Sequence, residues 1–380
     1  MPLDLDTREQ LLSSLRRFVA ERLHPIEGEI AEKDEIPDSI VAEMRALGLF
    51  GLSIPIEYGG LGLMFEEECL VAFEMGRTSP AFRSVFGTNV GIGSQGLVMY
   101  GTDEQKSRWL PDIASGKLIT SFALTEAEAG SDAANLKLRA RPESDTYRLS
   151  GQKIFITNAD KAGLFTVMAR TGGEGAAGIS AFLVPRDLPG LTVGRPERKM
   201  GQQGAHVCTV TFDEVCVPAA HLLGSEGEGF KLAMRVLDRG RLHISAICVG
   251  IAERLIADIV AFAQQRRQFG QALSQLQLIQ AMIADSKTET LAARALTLDV
   301  ARQRDRGDNV TLGAAAAKYF ASEMVGRVAD RAVQIFGGAG YVADQGIERF
   351  YRDVRLFRIY EGTSQIQQIV IARETVKAGE

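Results

Sequence analysis

The sequence predicts a multidomain α+β protein: an all-α N-terminal domain, a middle β domain built as a barrel or sandwich, and a C-terminal four-helix bundle. Three observations predict this order. Apolar residues first recur at helical spacing, then give way to short β-rich runs separated by Gly or Pro, and finally return to the helical period. We place the three domains at residues 1–118, 119–226 and 227–380. With 46% hydrophobic residues, the 380-residue chain can bury one large core or several smaller ones.

The N-terminal region is predicted to be helical from Thr7 to about Leu118. Apolar residues at helical spacing indicate its first helix: Leu11, Leu12, Leu15, Phe18, Val19 and Leu23. Pro37-Asp38 opens a further helix that Gly48 ends, and another helical stretch runs from Glu66 to Arg77.

Residues 91–96, Gly-Ile-Gly-Ser-Gln-Gly, match the GxGxxG pattern of dinucleotide-binding proteins. No predicted strand precedes them, and no acidic residue follows a second strand about twenty residues later, as that fold requires. We interpret these glycines as close packing between helices and discard a Rossmann fold.

The β domain is predicted between Ile119 and His221. Residues 147–156 have a turn inside two strand-like runs, and further strands are predicted at 164–169, 179–184 and 206–212. The glycine-rich residues 172–178 are predicted to form a mobile hairpin tip.

The C-terminal region is predicted to be helical throughout. Apolar residues at helical spacing mark one long helix: Ile244, Ile247, Ile251, Leu255 and Ile259. Leu276, Ile279 and Ile283 begin the next helix, and the alanines at 314–317 allow tight helix packing.

Composition and charge exclude several classes of protein. The net charge is -5 and no basic run stands out, which argues against nucleic acid as the main partner. Four cysteines show no CxxC spacing and four histidines form no HxxxH pair, so we expect no metal site and a reducing, cytoplasmic location. The N-terminus is acidic and polar, unlike a signal peptide, and no apolar run is long enough to cross a bilayer, so we expect no membrane partner.

The stretch Ile359 to Gln367 contains a candidate catalytic residue, Glu361. Gly362 permits an unusual backbone angle or a close approach by a ligand. Thr363 or Ser364 can cap the helix that follows, which places Glu361 at a helix start. A carboxylate shielded there from water would have the tunable pKa that a general base needs. The alternative is a glutamate that only complements the helix dipole.

The order of the three domains, closed by Tyr360-Glu361-Gly362-Thr363, resembles the acyl-CoA dehydrogenase family over essentially the whole chain. The resemblance implies FAD as cofactor and an acyl-CoA thioester as substrate. It implies that Glu361 removes the α proton while the β hydrogen leaves as hydride to flavin N5, giving a trans-2-enoyl-CoA. It also implies an electron-transfer flavoprotein as electron acceptor and a homotetramer arranged as a dimer of dimers.

Two segments of the β domain resemble the family's flavin-ring contacts. The first, residues 122–132, implies cofactor contacts by Phe122, Leu124, Thr125, Gly130 and Ser131, and Ser131 also meets the CoA moiety. The second, residues 153–158, implies contacts by Phe155 and Thr157; the family often has Trp where this chain has Phe155. The alternatives are a capped turn after a strand for the first segment and ordinary sheet core for Phe155.

Two motifs of the bundle resemble the family's contacts to a flavin on the neighbouring subunit, which implies a homodimer at minimum. Arg266, Phe269 and Gln277 resemble the diphosphate and adenine contacts, and the arginine fork matches phosphate oxygens. Gln334, Gly337 and Gly338 resemble a glycine-rich turn that closes over FAD, although alone these glycines could be a helix C-cap. By the same resemblance, Thr363 and Gln365 complete the predicted cofactor contacts.

The family places its catalytic base at one of two positions, which correspond here to Glu361 and Gly240. Glycine cannot take a proton, so Glu361 is the predicted base. The resemblance further implies that Asp238 and Arg241 contact the pantetheine arm of the substrate, with Tyr360 and Gly362 also in the substrate site.

Arg83 and Ser84 resemble the pair that holds the distal carboxylate in the glutaryl-CoA dehydrogenase branch, so a dicarboxylyl-CoA is an alternative substrate. Arg83 could instead pair with a structural acid such as Glu74 or Glu66. Two further alternatives are an acyl-CoA oxidase and a flavin-carrying, DNA-associated relative. The latter usually has a basic surface and an added C-terminal region, and this sequence shows neither.

Overall fold

The computed structural model describes residues 3–379 and confirms the predicted order of helices, sheet and helices. Residues 1, 2 and 380, which belong to the ends of the predicted N- and C-terminal domains, lie outside the described residues. The domain boundaries after residues 118 and 226 stay predictions. No helix among the described residues is long and apolar enough to cross a membrane.

Seven helices form the N-terminal region, and side-chain caps fix several of their starts. The helices are α1 (Leu5–Phe18), α2 (Glu27–Lys33), α3 (Asp38–Ala46), α4 (Phe65–Met75), α5 (Pro80–Val90), α6 (Gln95–Tyr100) and α7 (Asp103–Ala114). Asp4 accepts a hydrogen bond from the backbone N–H of Thr7 at 2.9 Å and so caps α1. Thr102 and Gln105 form a capping box at the start of α7.

One eight-stranded mixed sheet forms the middle region. Its strands are β1 (Thr120–Ala123), β2 (Arg139–Glu143), β3 (Thr146–Thr157), β4 (Leu164–Arg170), β5 (Ile179–Pro185), β6 (Leu191–Val193), β7 (Val207–Pro218) and β8 (Leu222–Leu223). The spatial order is β6-β7-β3-β2-β4-β5-β8, and β1 pairs in parallel with β4. One face of the sheet buries an apolar core within the sheet region. The other face packs on α7 and on the first turns of the helix that begins at Gly229.

The predicted turn within residues 147–156 is wrong, because β3 runs through it as one strand. The register of β3 against β7 shifts between Leu149 and Gly151, and Gly151 has φ +142. A glycine between two β-rich runs is compatible with either a turn or a bulge, and the long antiparallel partner β7 makes the bulge the outcome here.

The C-terminal region is a bundle around the 37-residue helix α8 (Gly229–Gln265). A two-stranded hairpin, β9 (Arg267–Gln268) and β10 (Gln271–Ala272), follows it. The remaining helices are α9 (Gln277–Asp305), α10 (Thr311–Phe336), α11 (Gly338–Tyr341), α12 (Ile347–Val354) and α13 (Ser364–Ala378). Thr363 Oγ1 accepts from Ile366 N at 3.2 Å, which confirms the predicted cap of α13.

Helix α8 contacts both the sheet and the N-terminal helices, and at each of these two contacts a glycine permits the close approach. A Cβ at Gly229 would overlap the backbone of β5 at Ser180. A Cβ at Gly250 would overlap the carbonyl of Phe73 in α4, so the N-terminal helices and the bundle share one continuous core. Because both contacts are with backbone, neither side of them can yield by a simple side-chain movement.

The glycines of the GxGxxG match serve close packing, as predicted, but their neighbours are strands as well as helices. A Cβ at Gly93 would overlap Thr120 of β1. A Cβ at Gly96 would lie 3.2 Å from Leu223 of β8 and from Leu232 of α8.

Candidate active site

A cavity of ≈ 590 Å³ lies between the sheet and the bundle, and it brings most of the predicted site residues together. Seven predicted cofactor residues line it: Phe122, Leu124, Thr125, Gly130, Ser131, Phe155 and Thr157. So do six predicted substrate or catalytic residues: Arg83, Ser84, Arg241, Tyr360, Glu361 and Gly362.

The sheet forms one wall of this cavity. Phe155 is 61% exposed and adopts φ +57, so its ring is outside the sheet core and faces the cavity. The alternative of an ordinary core phenylalanine is therefore wrong. The hydroxyl-bearing Thr125 and Thr157 line the same wall. A flat apolar surface with hydrogen-bonding groups beside it fits the ring of a flavin.

A buried ion pair holds this wall in place. The ammonium of Lys153, on β3, is fully buried; it donates to Glu126 Oε1 at 2.8 Å and to the carbonyl of Leu124 at 3.0 Å. Glu126 also accepts from the backbone N–H groups of Lys137 and Leu138. Burial lowers the pKa of Lys153 to about 8, and Glu126 opposes that effect.

We expect Lys153→Met to destabilise the protein by about 3 kcal/mol, because it leaves the buried Glu126 carboxylate without its cation. Urea unfolding of wild type, Lys153→Met and the double variant Lys153→Met/Glu126→Gln measures this. The double variant should recover part of the loss, since it removes the charge left behind. If Lys153→Met loses less free energy of unfolding than the double variant does, the ion pair between Lys153 and Glu126 does not stabilise the wall.

Glu361 lies on the opposite side of the cavity. It precedes α13 by three residues and adopts φ +52, so it is outside the helix that Thr363 caps. The interpretation as a first-turn glutamate that complements the helix dipole is therefore wrong, and so is its expected place at the helix start. Its Oε2 is buried and has no hydrogen-bond partner among the residues that the structure describes. Burial raises the pKa of Glu361, and three positive charges oppose this, in decreasing order those of Arg83, Lys318 and Arg241.

Gly240 of α8 faces the Glu361 carboxylate. A Cβ at position 240 would overlap Glu361 Oε2 and lie 2.9 Å from Glu361 Cδ. The carboxylate thus occupies the space that any side chain at 240 would need. The two base positions that the resemblance implies, Glu361 and Gly240, are therefore neighbours in the folded protein.

The backbone next to Glu361 is bonded by two buried side chains that the sequence analysis did not identify. Lys318 Nζ donates to the carbonyl of Gly362 at 2.7 Å. Gln367 Nε2 donates to the same carbonyl at 2.9 Å and to that of Glu361 at 3.3 Å. In the sequence, Lys318 directly follows the alanines 314–317, most of which pack in the core. A single charged residue next to such a core-forming run was the signal that could have identified it as a functional residue.

Arg83 lines the cavity and has no acidic partner within 4.0 Å among residues 3–379. Its Nε and Nη2 lie 3.1 and 2.7 Å from His243 Nδ1. Burial, and then the Arg83 charge, hold the pKa of His243 well below its usual 6.5, so Nδ1 accepts these bonds. Pairing with Glu74 or Glu66 is wrong, because those carboxylates bind Arg16 and Arg302.

The loop at 197–205 forms a third side of the cavity and is bonded to α12. Asp353 accepts a short hydrogen bond from the backbone N–H of Gln202, and Gln202 Nε2 donates to the carbonyl of Asp353 at 3.1 Å. Asp353 Oδ2 has no hydrogen-bond partner within residues 3–379. Burial raises the pKa of Asp353 to about 6 from its usual 3.8, against the lowering effect of the Gln202 N–H.

The folded state holds the proton of Asp353 more tightly than the unfolded chain does. The contribution of Asp353 to the free energy of unfolding therefore falls as the pH rises from 3.8 to about 6. We expect Asp353→Asn to match wild type near pH 4 and to exceed its free energy of unfolding by about 1–3 kcal/mol above pH 6. Urea unfolding of both proteins from pH 4 to 7 measures the difference. A difference that stays constant over this range contradicts the prediction.

The other predicted site residues do not line the cavity. Asp238 is one turn before Arg241 on α8 and accepts from it at 2.7 Å. Thr363 and Gln365 lie at the start of α13. Six exposed residues lie at the far end of the bundle: Arg266, Phe269, Gln277, Gln334, Gly337 and Gly338. The C-terminal turns of α8 and α10 meet there, since the rings of Phe262 and Phe336 stack at 4.1 Å.

A buried carboxylate facing a wall that fits a flavin ring is the arrangement expected of a flavin-dependent oxidoreductase. The sequence matches models for the acyl-CoA dehydrogenase N-terminal domain at residues 6–117, middle domain at 121–215 and C-terminal domain at 227–376. The chain belongs to the acyl-CoA dehydrogenase family.

Relatives match along nearly the full length. An acyl-CoA dehydrogenase of Bacillus subtilis is 40% identical over 371 residues, 97% of this chain and 98% of the relative. The structure of butyryl-CoA dehydrogenase from Megasphaera elsdenii matches with a TM-score of 0.95 and 35% identity, covering 99% of this chain and 100% of that one. A glutaryl-coenzyme A dehydrogenase in complex with glutaryl-CoA matches with a TM-score of 0.94 and 31% identity, covering 99% and 97%. FAD-dependent dehydrogenation of an acyl-CoA is therefore the activity of this chain.

Proposed function

We propose that Glu361 is the base that removes the α proton of the acyl-CoA. The observation that carries this proposal is the Glu361 Oε2, buried at the cavity without a hydrogen-bond partner and opposite the Phe155 wall. An unpaired carboxylate oxygen has a free lone pair for a proton. Its raised pKa brings it closer to the range in which a base works at neutral pH.

The other residues of the cavity orient the thioester. Thr125, Phe155 and Thr157 hold the FAD ring, which supplies the acceptor for the β hydride. Arg241, bonded to Asp238, and Tyr360 border the path of the pantetheine arm. The backbone N–H of Glu361 donates to the thioester oxygen as negative charge develops there. The enclosed walls exclude water from the carboxylate.

We also propose that a second copy of the chain completes the FAD site at the far end of the bundle, and that copies pair further into a tetramer. Large apolar side chains are exposed at this end: Phe269 at 91%, Leu278 at 81% and Tyr341 at 80%. Exposed apolar residues in one region mark an interaction surface, and Arg266 beside them suits a diphosphate. An electron-transfer flavoprotein is the proposed electron acceptor.

The test is anaerobic loss of the flavin's visible absorption on addition of straight-chain acyl-CoAs from propionyl to palmitoyl. Loss with at least one of them, and reoxidation by an electron-transfer flavoprotein, supports the proposal. Fast reoxidation by dioxygen instead indicates an oxidase. Flavin reduction by that acyl-CoA at the wild-type rate in Glu361→Gln contradicts the assignment of Glu361 as the base.

A dicarboxylyl-CoA is a second candidate substrate, because Arg83 is buried in the cavity without an acid. An unpaired guanidinium is costly there, and a substrate carboxylate would match its fork. Ser84, also at the cavity, is the second candidate donor.

Glutaryl-CoA and pentanoyl-CoA differ only in whether the five-carbon chain ends in a carboxylate or a methyl group, so their kcat/KM ratio tests this candidate. If Arg83 binds the carboxylate, wild type prefers glutaryl-CoA and Arg83→Met lowers that ratio by about 10–100-fold. If wild type prefers pentanoyl-CoA and Arg83→Met leaves the ratio unchanged, the dicarboxylyl-CoA candidate is wrong.

A further inference from the structure

Lys318 is a fully buried cation directed at the catalytic turn. It lies in the N-terminal third of α10 with 0% of its surface exposed, and its Nζ donates to the Gly362 carbonyl at 2.7 Å. No carboxylate lies within 4.0 Å of its ammonium among residues 3–379. A buried ammonium without an ion-pair partner is unfavourable for folding, so the contact with Gly362 needs an explanation beyond stability.

The backbone that Lys318 contacts is itself in an unfavourable conformation. Glu361 has φ +52 and Gly362 has φ +89. Left-handed backbone is disfavoured for a residue with a Cβ, and it persists only where its surroundings impose it. Lys318 and Gln367 supply that constraint, because together they bond the carbonyls of both residues.

The charge of Lys318 also acts on the carboxylate of Glu361. Around Lys318, the facing groups are Glu361, Arg241 and Cys248, with Glu323 on its own helix. Around Glu361 they are Arg83, Lys318 and Arg241. Burial lowers the pKa of Lys318 to about 8, so the side chain is still charged at neutral pH and favours the ionised carboxylate.

We propose that Lys318 is a positioning residue for the reaction: it fixes the left-handed turn at Glu361–Gly362 and keeps the Glu361 carboxylate ionised. This inference rests on the proposed role of Glu361 as base. Gln367 also fixes the turn at Glu361–Gly362, because it bonds both carbonyls. Since Gln367 is uncharged, it does not favour the ionised carboxylate. The two side chains therefore form a matched pair for separating hydrogen bonding from charge.

The experiment follows proton removal alone, in the FAD-loaded enzyme. Acetyl-CoA has α hydrogens but no β carbon, so exchange of its α hydrogens in D₂O reports the base without any oxidation. We expect Lys318→Met to slow exchange about 10–100-fold at pH 7 and to shift the acidic limb of the rate profile to higher pH. Gln367→Met should slow exchange without shifting that limb. If Lys318→Met does not fold, Lys318→Gln, which keeps a donor but no charge, should still shift it.

Glu361→Gln separates a failure of this inference from a failure of the proposed base. If Glu361→Gln exchanges at the wild-type rate, Glu361 is not the base and both proposals are wrong. If Glu361→Gln stops exchange while Lys318→Met leaves the acidic limb unchanged, only the role of Lys318 is overturned. A fall in rate that follows FAD loss alone, with the limb unchanged, assigns Lys318 to structure and also overturns the proposal.

Discussion

Glu361→Gln is expected to lower kcat for acyl-CoA dehydrogenation by about 10²–10⁴-fold, the range typical of a general base. The amide keeps the shape of the side chain but cannot accept the α proton. Because Glu361 Oε2 has no hydrogen-bond partner, the substitution breaks no bond of the folded state. The raised pKa of Glu361 means that its ionised form weakens folding, so Glu361→Gln should be as stable as wild type or slightly more so.

Single-turnover flavin reduction measures the first effect and thermal unfolding the second. Glu374→Gln, on the surface of α13, is the matched control and should keep wild-type values of both. A Glu361→Gln enzyme that retains more than about a tenth of the wild-type rate excludes the carboxylate as the base, since that loss is less than one general base supplies.

Gly240→Ala is expected to lower kcat about 10²-fold or more, although it removes no functional group. The added Cβ would overlap Glu361 Oε2, so the flexible carboxylate must move away from its position. A displacement of about 1 Å from the reactive geometry is enough for a loss of this size. The protein should fold at least as well, because alanine is favoured over glycine inside a helix by about 0.8–1.0 kcal/mol.

Gly28→Ala provides the control, since Gly28 is also helical and no atom lies within 4 Å of its added Cβ. It should gain similar stability and keep full activity. Equal activity in the two alanine variants would show that the catalytic carboxylate does not need the space at position 240.

The sequence predicted those features of the fold that depend on residues close together in the chain. The helical spacing, the Thr363 cap and the β-rich runs were all readable, because each depends on residues close together in sequence. Gly151 was misread, since a glycine in a strand-like run is compatible with a turn and with a bulge alike.

Only the site residues that belong to recognisable sequence motifs could be predicted. Glu361 was identified from its own stretch and from the resemblance. The bond from Lys318 to the Gly362 carbonyl, the approach of Gly240 to the Glu361 carboxylate and the bond between Arg83 and His243 all join residues far apart in the chain. No periodicity encodes such pairs, because they depend on how α5, α8 and α10 pack in three dimensions. The exposed position and positive φ of Phe155 likewise depend on the irregular pairing of β3 with β7.

Helix α8 sets a limit on insertions and deletions. Gly229 abuts β5, Gly240 faces the carboxylate of Glu361, the proposed base, and Gly250 abuts α4, so two fixed contacts flank Gly240 along one helix. Each added residue turns a helix by about 100°. One residue inserted between Gly229 and Gly250 therefore cannot satisfy both contacts, and it would bring a side chain rather than a glycine to the carboxylate. Length changes in this family's sequences should be absent from that interval.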